Sequence, residues 1–132
     1  MNFIGRKTEL AKLKSFFKDE LSHCALIYGR RRIGKSELIK QSIKEFGKNG
    51  LYYECKQTSE KNNVESLSEI LSSQLGFPKL AFNSLEELVD FLFKYSKDKK
   101  IILVFDEYTY LQDTIKGLDS ILQTLIDKYS DE

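Results

Sequence analysis

The chain has 132 residues, enough for one hydrophobic core and not for two. Its 41% apolar and 31% charged residues describe a soluble globular protein, and a single proline with few glycines argues against disorder or low complexity. The net charge of +1 makes no case for a nucleic-acid binder, and no apolar run approaches the ~18 residues of a membrane span.

The N-terminus lacks the apolar stretch of a signal peptide, and Asn2 stands where myristoylation needs a glycine, so the chain reads as cytoplasmic. Cys24 and Cys55 fall on separate expected strands and read as reduced core residues. With His23 they supply at most three ligands, in no zinc spacing. The charge is unevenly placed. Residues 1–56 hold 13 Lys/Arg against 6 Asp/Glu, a balance of +7; residues 57–132 hold 8 against 14, a balance of −6. A basic half followed by an acidic half suits a site for a polyphosphate and a cation, and equally suits two ordinary solvated helix surfaces.

In chain order, Phe3-Ile4-Gly5-Arg6 reads as a turn into a helix of roughly residues 8–21, with Leu10, Leu13, Phe16, Phe17 and Leu21 on one face. Cys24 to Tyr28 is a short apolar run, a buried strand. Gly29-Arg30-Arg31-Arg32-Ile33-Gly34-Lys35-Ser36 then fits G-x-x-x-x-G-K-[ST], the phosphate-loop signature. After it, residues 37–46 carry apolar side chains at Leu38, Ile39, Ile43 and Phe46, a helical period. Strand, glycine loop and helix is the order the chemistry needs. The two glycines allow close backbone approach, successive N–H groups turn inward, and the helix N-terminus adds partial positive charge. Lys35 reaches the β- and γ-phosphates and Ser36 offers its hydroxyl to Mg²⁺. The nucleotide-contacting set is therefore Gly29, Arg30, Arg31, Arg32, Ile33, Gly34, Lys35, Ser36 and Glu37. The three arginines also have a plain reading as solvated loop positions.

Gly47 is a C-cap and Asn49-Gly50 a turn. Residues 51–55 read as a second strand and the polar stretch Lys56 to Asn63 as a surface loop. Val64, Leu67, Ile70, Leu71 and Leu75 mark a helix that stops at Gly76-Phe77-Pro78. Ser84 with Glu87 three residues later is a capping box. It opens a helix to about Ser96 with Leu85, Leu88, Val89, Leu92 and Tyr95 inward. Phe91, Phe93 and Tyr95 read as core or partner surface. Ile101-Ile102-Leu103-Val104-Phe105 is too short for a helix and suits a parallel strand buried on both faces. Asp106-Glu107 follow at its C-terminal end, where open α/β sheets bind ligands. Asp106 then holds Mg²⁺ through its water shell, and Glu107 polarises the attacking water; the plain alternative is a helix N-cap by Asp106 or a surface turn. Ile115, Leu118, Ile121, Leu122, Leu125, Ile126 and Tyr129 form a last amphipathic stripe, read as one helix over 115–129.

Three groups of residues together resemble a known family: the F-x-G-R opening with Glu9 and Leu10, the Y-G-R-R-R-x-G-K-[ST] run from Tyr28 to Ser36, and D-E-[FY]-x-Y-L from Asp106 to Leu111. They look like the archaeal and bacterial P-loop ATPases allied to AAA+ and the signal-transduction (STAND) NTPases. The resemblance covers nearly all of the chain. It implies a three-layer α/β fold of the ASCE, AAA+-like type with a mainly parallel sheet. It also implies ATP and Mg²⁺ as cofactors, Walker A and Walker B elements at 29–36 and 106–107, and an adenine contact at Ile4, Gly5 and Arg6. By the same resemblance, residues 1–132 are the N-terminal part of a longer ATPase domain, ending after the third core strand. The catalytic residues are Lys35 and Glu107, the metal residues Ser36 and Asp106. In the family's sheet order of 5-1-4-3-2, a strand absent here lies between those at 24–28 and 101–105. These two must then pair directly, leave a gap, or recruit another chain through exposed edges, and the last would make the protein self-associate. The reading is Mg-dependent ATP hydrolysis within a longer protein, with little or no turnover by this chain alone. A nucleotide-gated switch or scaffold with little turnover is the alternative. A small-molecule kinase is the weakest option, since no acceptor site is evident.

Overall fold

The computed structural model describes residues 2–4, 24–29, 40–41, 43–45, 47 and 49–129, with the backbone alone at 2–4, 24–29 and 98. The expected helix at 8–21, His23, and the stretch Arg30 to Leu38 lie outside the described residues. The chain is an α/β protein built on a parallel sheet. Its strands are β1 (Asn2–Ile4), β2 (Cys24–Gly29), β3 (Gly50–Glu54) and β4 (Ile101–Asp106), in the order β1-β2-β4-β3. The helices are α1 (Glu60–Leu75), α2 (Leu85–Tyr95), α3 (Thr109–Thr114) and α4 (Leu118–Tyr129).

One strand was not expected, and one pairing settles an open choice. β1 forms a three-residue parallel ladder on β2, Asn2 opposite Ala25 and Ile4 opposite Ile27, where a turn was expected. Three residues are too few to show any alternation. β2 pairs directly with β4 over six residues, from Cys24 opposite Ile101 to Gly29 opposite Asp106. Each of these strands has a neighbour on both sides, so neither offers the exposed edge on which self-association was expected. That ground for self-association is removed.

β4 is buried along its whole length. Its odd positions, Ile101, Leu103 and Phe105, join Leu51 and Tyr53 of β3 in one cluster with the inward faces of α1, α2 and α4. Its even positions, Ile102 and Val104, are buried outside that cluster, as is Ile43 in the helical stretch before β3. A side chain at Gly50 would put its Cβ 2.6 Å from the Ile43 carbonyl oxygen, so only glycine lets that stretch cross the start of β3 so closely. Gly47, at φ +89, closes the stretch by donating to the Lys44 carbonyl at 3.1 Å, the C-cap its sequence suggests.

The helix ends follow from local chemistry. Ser59 caps α1 by accepting the Asn62 N–H at 3.1 Å, and Gly76, at φ +78, ends the helix. α1 thus starts at Glu60, four residues before its first apolar position, and corrects the loop expected over Lys56 to Asn63. Ser84 caps α2 through the Glu87 N–H at 3.1 Å, as the capping box requires. The last stripe is split. Ile115 is extended and Gly117 has φ +71, so the helix begins at Leu118 instead of Ile115. α4 is held to α2 by Tyr129, whose ring meets Phe93 edge-on at 5.4 Å and whose hydroxyl donates to Asp90 at 2.6 Å. Burial opposes ionisation of Asp90, but hydrogen bonds from Tyr129, Lys128 and Lys94 outweigh it and lower its pKa. No described helix is long and apolar enough to cross a membrane.

Candidate functional site

Three parallel strands end side by side. Gly29 of β2 and Glu54 of β3 are both register partners of Asp106 on β4. Neighbouring strands lie ~5 Å apart, so the phosphate-loop signature begins one strand spacing from the acid. β2 ends with Gly29 at the C-terminal edge of the sheet, the edge that carries Asp106 and Glu107.

Asp106 is 7% exposed and held at both oxygens. Its Oδ1 accepts the Glu107 N–H at 2.9 Å, and its Oδ2 accepts the hydroxyl of Tyr52. Tyr52 sits opposite Val104, two residues back along β3, and its ring lies 5.1 Å from the Lys40 ammonium. Lys40 belongs to the helical stretch that follows the loop signature. Glu107 is half-buried and adopts φ +57, a left-handed conformation that a glutamate enters at a cost of ~1 kcal/mol or more. The reversal aims its N–H back at Asp106 and its carbonyl at the Tyr110 N–H, 3.1 Å away, at the start of α3. Behind it, the buried Tyr108 donates to Asp119 of α4 at 2.6 Å, which anchors the turn after β4.

The edge of the site at β3 is set by Asn63. It is 1% exposed; its Oδ1 accepts from the Tyr53 hydroxyl and the Lys56 N–H, and its Nδ2 donates to the Lys56 and Ser59 carbonyls. One amide therefore shapes the loop from β3 to α1. That loop is tied to β4 as well, since the Cys55 N–H donates to the Asp106 carbonyl at 2.8 Å. Burial raises the Tyr53 phenol to about 12, so it remains a donor. Asn63→Ala leaves this buried hydroxyl and the Lys56 N–H without their acceptor. Chemical denaturation of the variant is expected to show a loss of ~2–4 kcal/mol.

Cys55 is buried, and burial with the negative charge of Asp106 and Glu107 pushes its thiol far above the ordinary range, which suits a core residue. Among the described residues no three His, Cys, Asp or Glu gather into a metal cage. Mg²⁺ does not require one: it binds through one or two oxygen ligands, with water and substrate phosphates completing the octahedron. A carboxylate fixed at both oxygens, one strand from a phosphate-loop signature, is a hard-oxygen donor that fits this pattern.

Of the expected site residues, Asp106, Glu107 and Gly29 are brought to one edge, and Ile4 ends β1 on the far side of β2. Gly5, Arg6, Arg30, Arg31, Arg32, Ile33, Gly34, Lys35, Ser36 and Glu37 lie outside the described residues. Tyr52 and Asn63 were missed. Tyr52 could have been found by strand alternation, which puts positions 52 and 54 on the same face of β3. Asn63 carried no such signal.

No solved structure is matched by this chain. Among curated proteins it is 25% identical over 122 residues to the mitochondrial escape protein 2 of Schizosaccharomyces pombe. The match covers 91% of this chain and 16% of that protein, so the chain spans under a fifth of the relative's length. A family of ATPase domains predominantly from Archaea matches residues 3–132. With the match running almost end to end, the chain belongs to this archaeal-type ATPase domain family.

Proposed function

We propose that this chain binds ATP at the C-terminal edge of its sheet and, within a longer AAA+/STAND-like protein, hydrolyses it with Mg²⁺. The observation that carries the reading is the register of β2 with β4, Gly29 opposite Asp106. It sets the start of the phosphate-loop signature beside the acid that ends β4. The burial of Ile102 and Val104, outside the cluster beneath the four helices, supports a third layer on the other face of the sheet.

In this reading Lys35 and the loop amides hold the phosphates, Ser36 and Asp106 hold the cation, and Glu107 accepts a proton from the attacking water. Bound Mg²⁺ would neutralise charge on the β- and γ-phosphate oxygens. The rest of the chemistry is positioning, which the two hydrogen bonds on Asp106 and the reversed backbone at Glu107 support. Ile4, Gly5 and Arg6 would lie against the base. An arginine finger, where one is used, would come from another part of the protein or another subunit.

The test is orthophosphate release from Mg·ATP by the full-length protein, with Glu107→Gln beside it. Release by the wild type and its loss in the variant support the reading. ATP binding with no release by the wild type would favour a nucleotide-gated switch.

A further inference from the structure

We propose that Tyr52 is a positioning residue for the Asp106 carboxylate and thereby sets the affinity of the nucleotide site for Mg²⁺; this rests on the ATP-binding reading above. The hydroxyl of Tyr52 crosses from β3 to donate to Asp106 Oδ2. The Glu107 N–H holds Oδ1 at 2.9 Å. The two donors come from different elements, one on each oxygen, so together they fix the rotation of a short side chain whose plane decides where a cation or its water can sit. A carboxylate that must be turned before it binds loses affinity, and outer donors that orient a metal ligand typically matter ~10–100-fold.

The tyrosine also meets the helical stretch that follows the loop signature. Lys40 lies over its ring at 5.1 Å and stands five residues beyond Lys35, in the helical stretch that follows the loop signature. The aromatic ring thus bridges that stretch and the acid at the end of β4. Among the described residues Tyr52 is half-buried and lies outside the main apolar cluster. Tyr53, its neighbour in β3, instead gives its hydroxyl to the buried Asn63 amide.

Tyr52→Phe removes the hydroxyl and keeps the ring beneath Lys40. In the full-length protein, calorimetric titration of ATP in EDTA and across a Mg²⁺ series separates the nucleotide from the metal. We expect Tyr52→Phe to bind ATP in EDTA as the wild type does. The Mg²⁺ concentration giving half of the affinity gain should rise ~10-fold, with the thermal midpoint little changed. Tyr52→Leu should show the same Mg²⁺ shift, because the hydroxyl is what acts. A wild-type Mg²⁺ midpoint in Tyr52→Phe overturns the proposal. So does an equal loss of ATP affinity with and without Mg²⁺, or an unfolded variant, since either makes the residue merely structural. A wild-type protein that binds no ATP in either buffer overturns the ATP-binding reading and this proposal together.

Discussion

Lys35→Ala is expected to lower ATP affinity about 100-fold, roughly 3 kcal/mol, and to leave the fold intact. The lysine follows Gly34 in the loop signature, where its ammonium would meet two phosphates in a water-poor cradle of backbone N–H groups. Charge-assisted hydrogen bonds in such a setting are about twice as strong as neutral ones. A lysine that serves a ligand's phosphates adds no apolar packing, so its loss should spare the core. The calorimetric affinity and the circular-dichroism spectrum of the same preparation decide the point. Wild-type affinity in a folded Lys35→Ala protein would contradict the assignment.

Glu107→Gln is expected to slow ATP hydrolysis by the full-length protein ~100-fold or more while ATP affinity stays within about threefold. The amide keeps the shape of the side chain and cannot take a proton from water. A general base is worth ~10²–10⁴-fold, which sets the range. The backbone at this position makes the comparison clean. Glutamine meets the same left-handed conformation at φ +57, and the N–H that holds Asp106 belongs to the main chain. The substitution therefore leaves the strain and the acid's geometry as they are. Near-normal release of orthophosphate would remove Glu107 from catalysis.

What could be read from the sequence was what a residue type states locally. Five consecutive apolar residues at 101–105 suit a strand buried on both faces, and β4 is buried throughout. Ser84 and Glu87 state a helix start by their spacing, and the Ser84 hydroxyl caps α2. Asp106 ends β4, as an acid after an apolar strand run suggested. What could not be read was set by tertiary partners. β1 has three residues and is a strand only because β2 accepts it. Direct pairing of β2 with β4 is a choice among sheet orders, and each strand's own pattern is the same in all of them. Asn63 looked like one more polar residue in a loop, because its partners, Tyr53 and the Lys56 and Ser59 backbone, become partners only when the chain folds over them.

That the loop after β2 and the acid at the end of β4 serve one ligand is tested most directly by titrating ATP into the wild type and Asp106→Asn, each in Mg²⁺ and in EDTA. Mg²⁺ should tighten ATP binding by the wild type ~10-fold or more and should do little for Asp106→Asn, while the two proteins bind alike in EDTA. An equal Mg²⁺ gain in both proteins would mean that Asp106 faces some other ligand, and the shared site would fall.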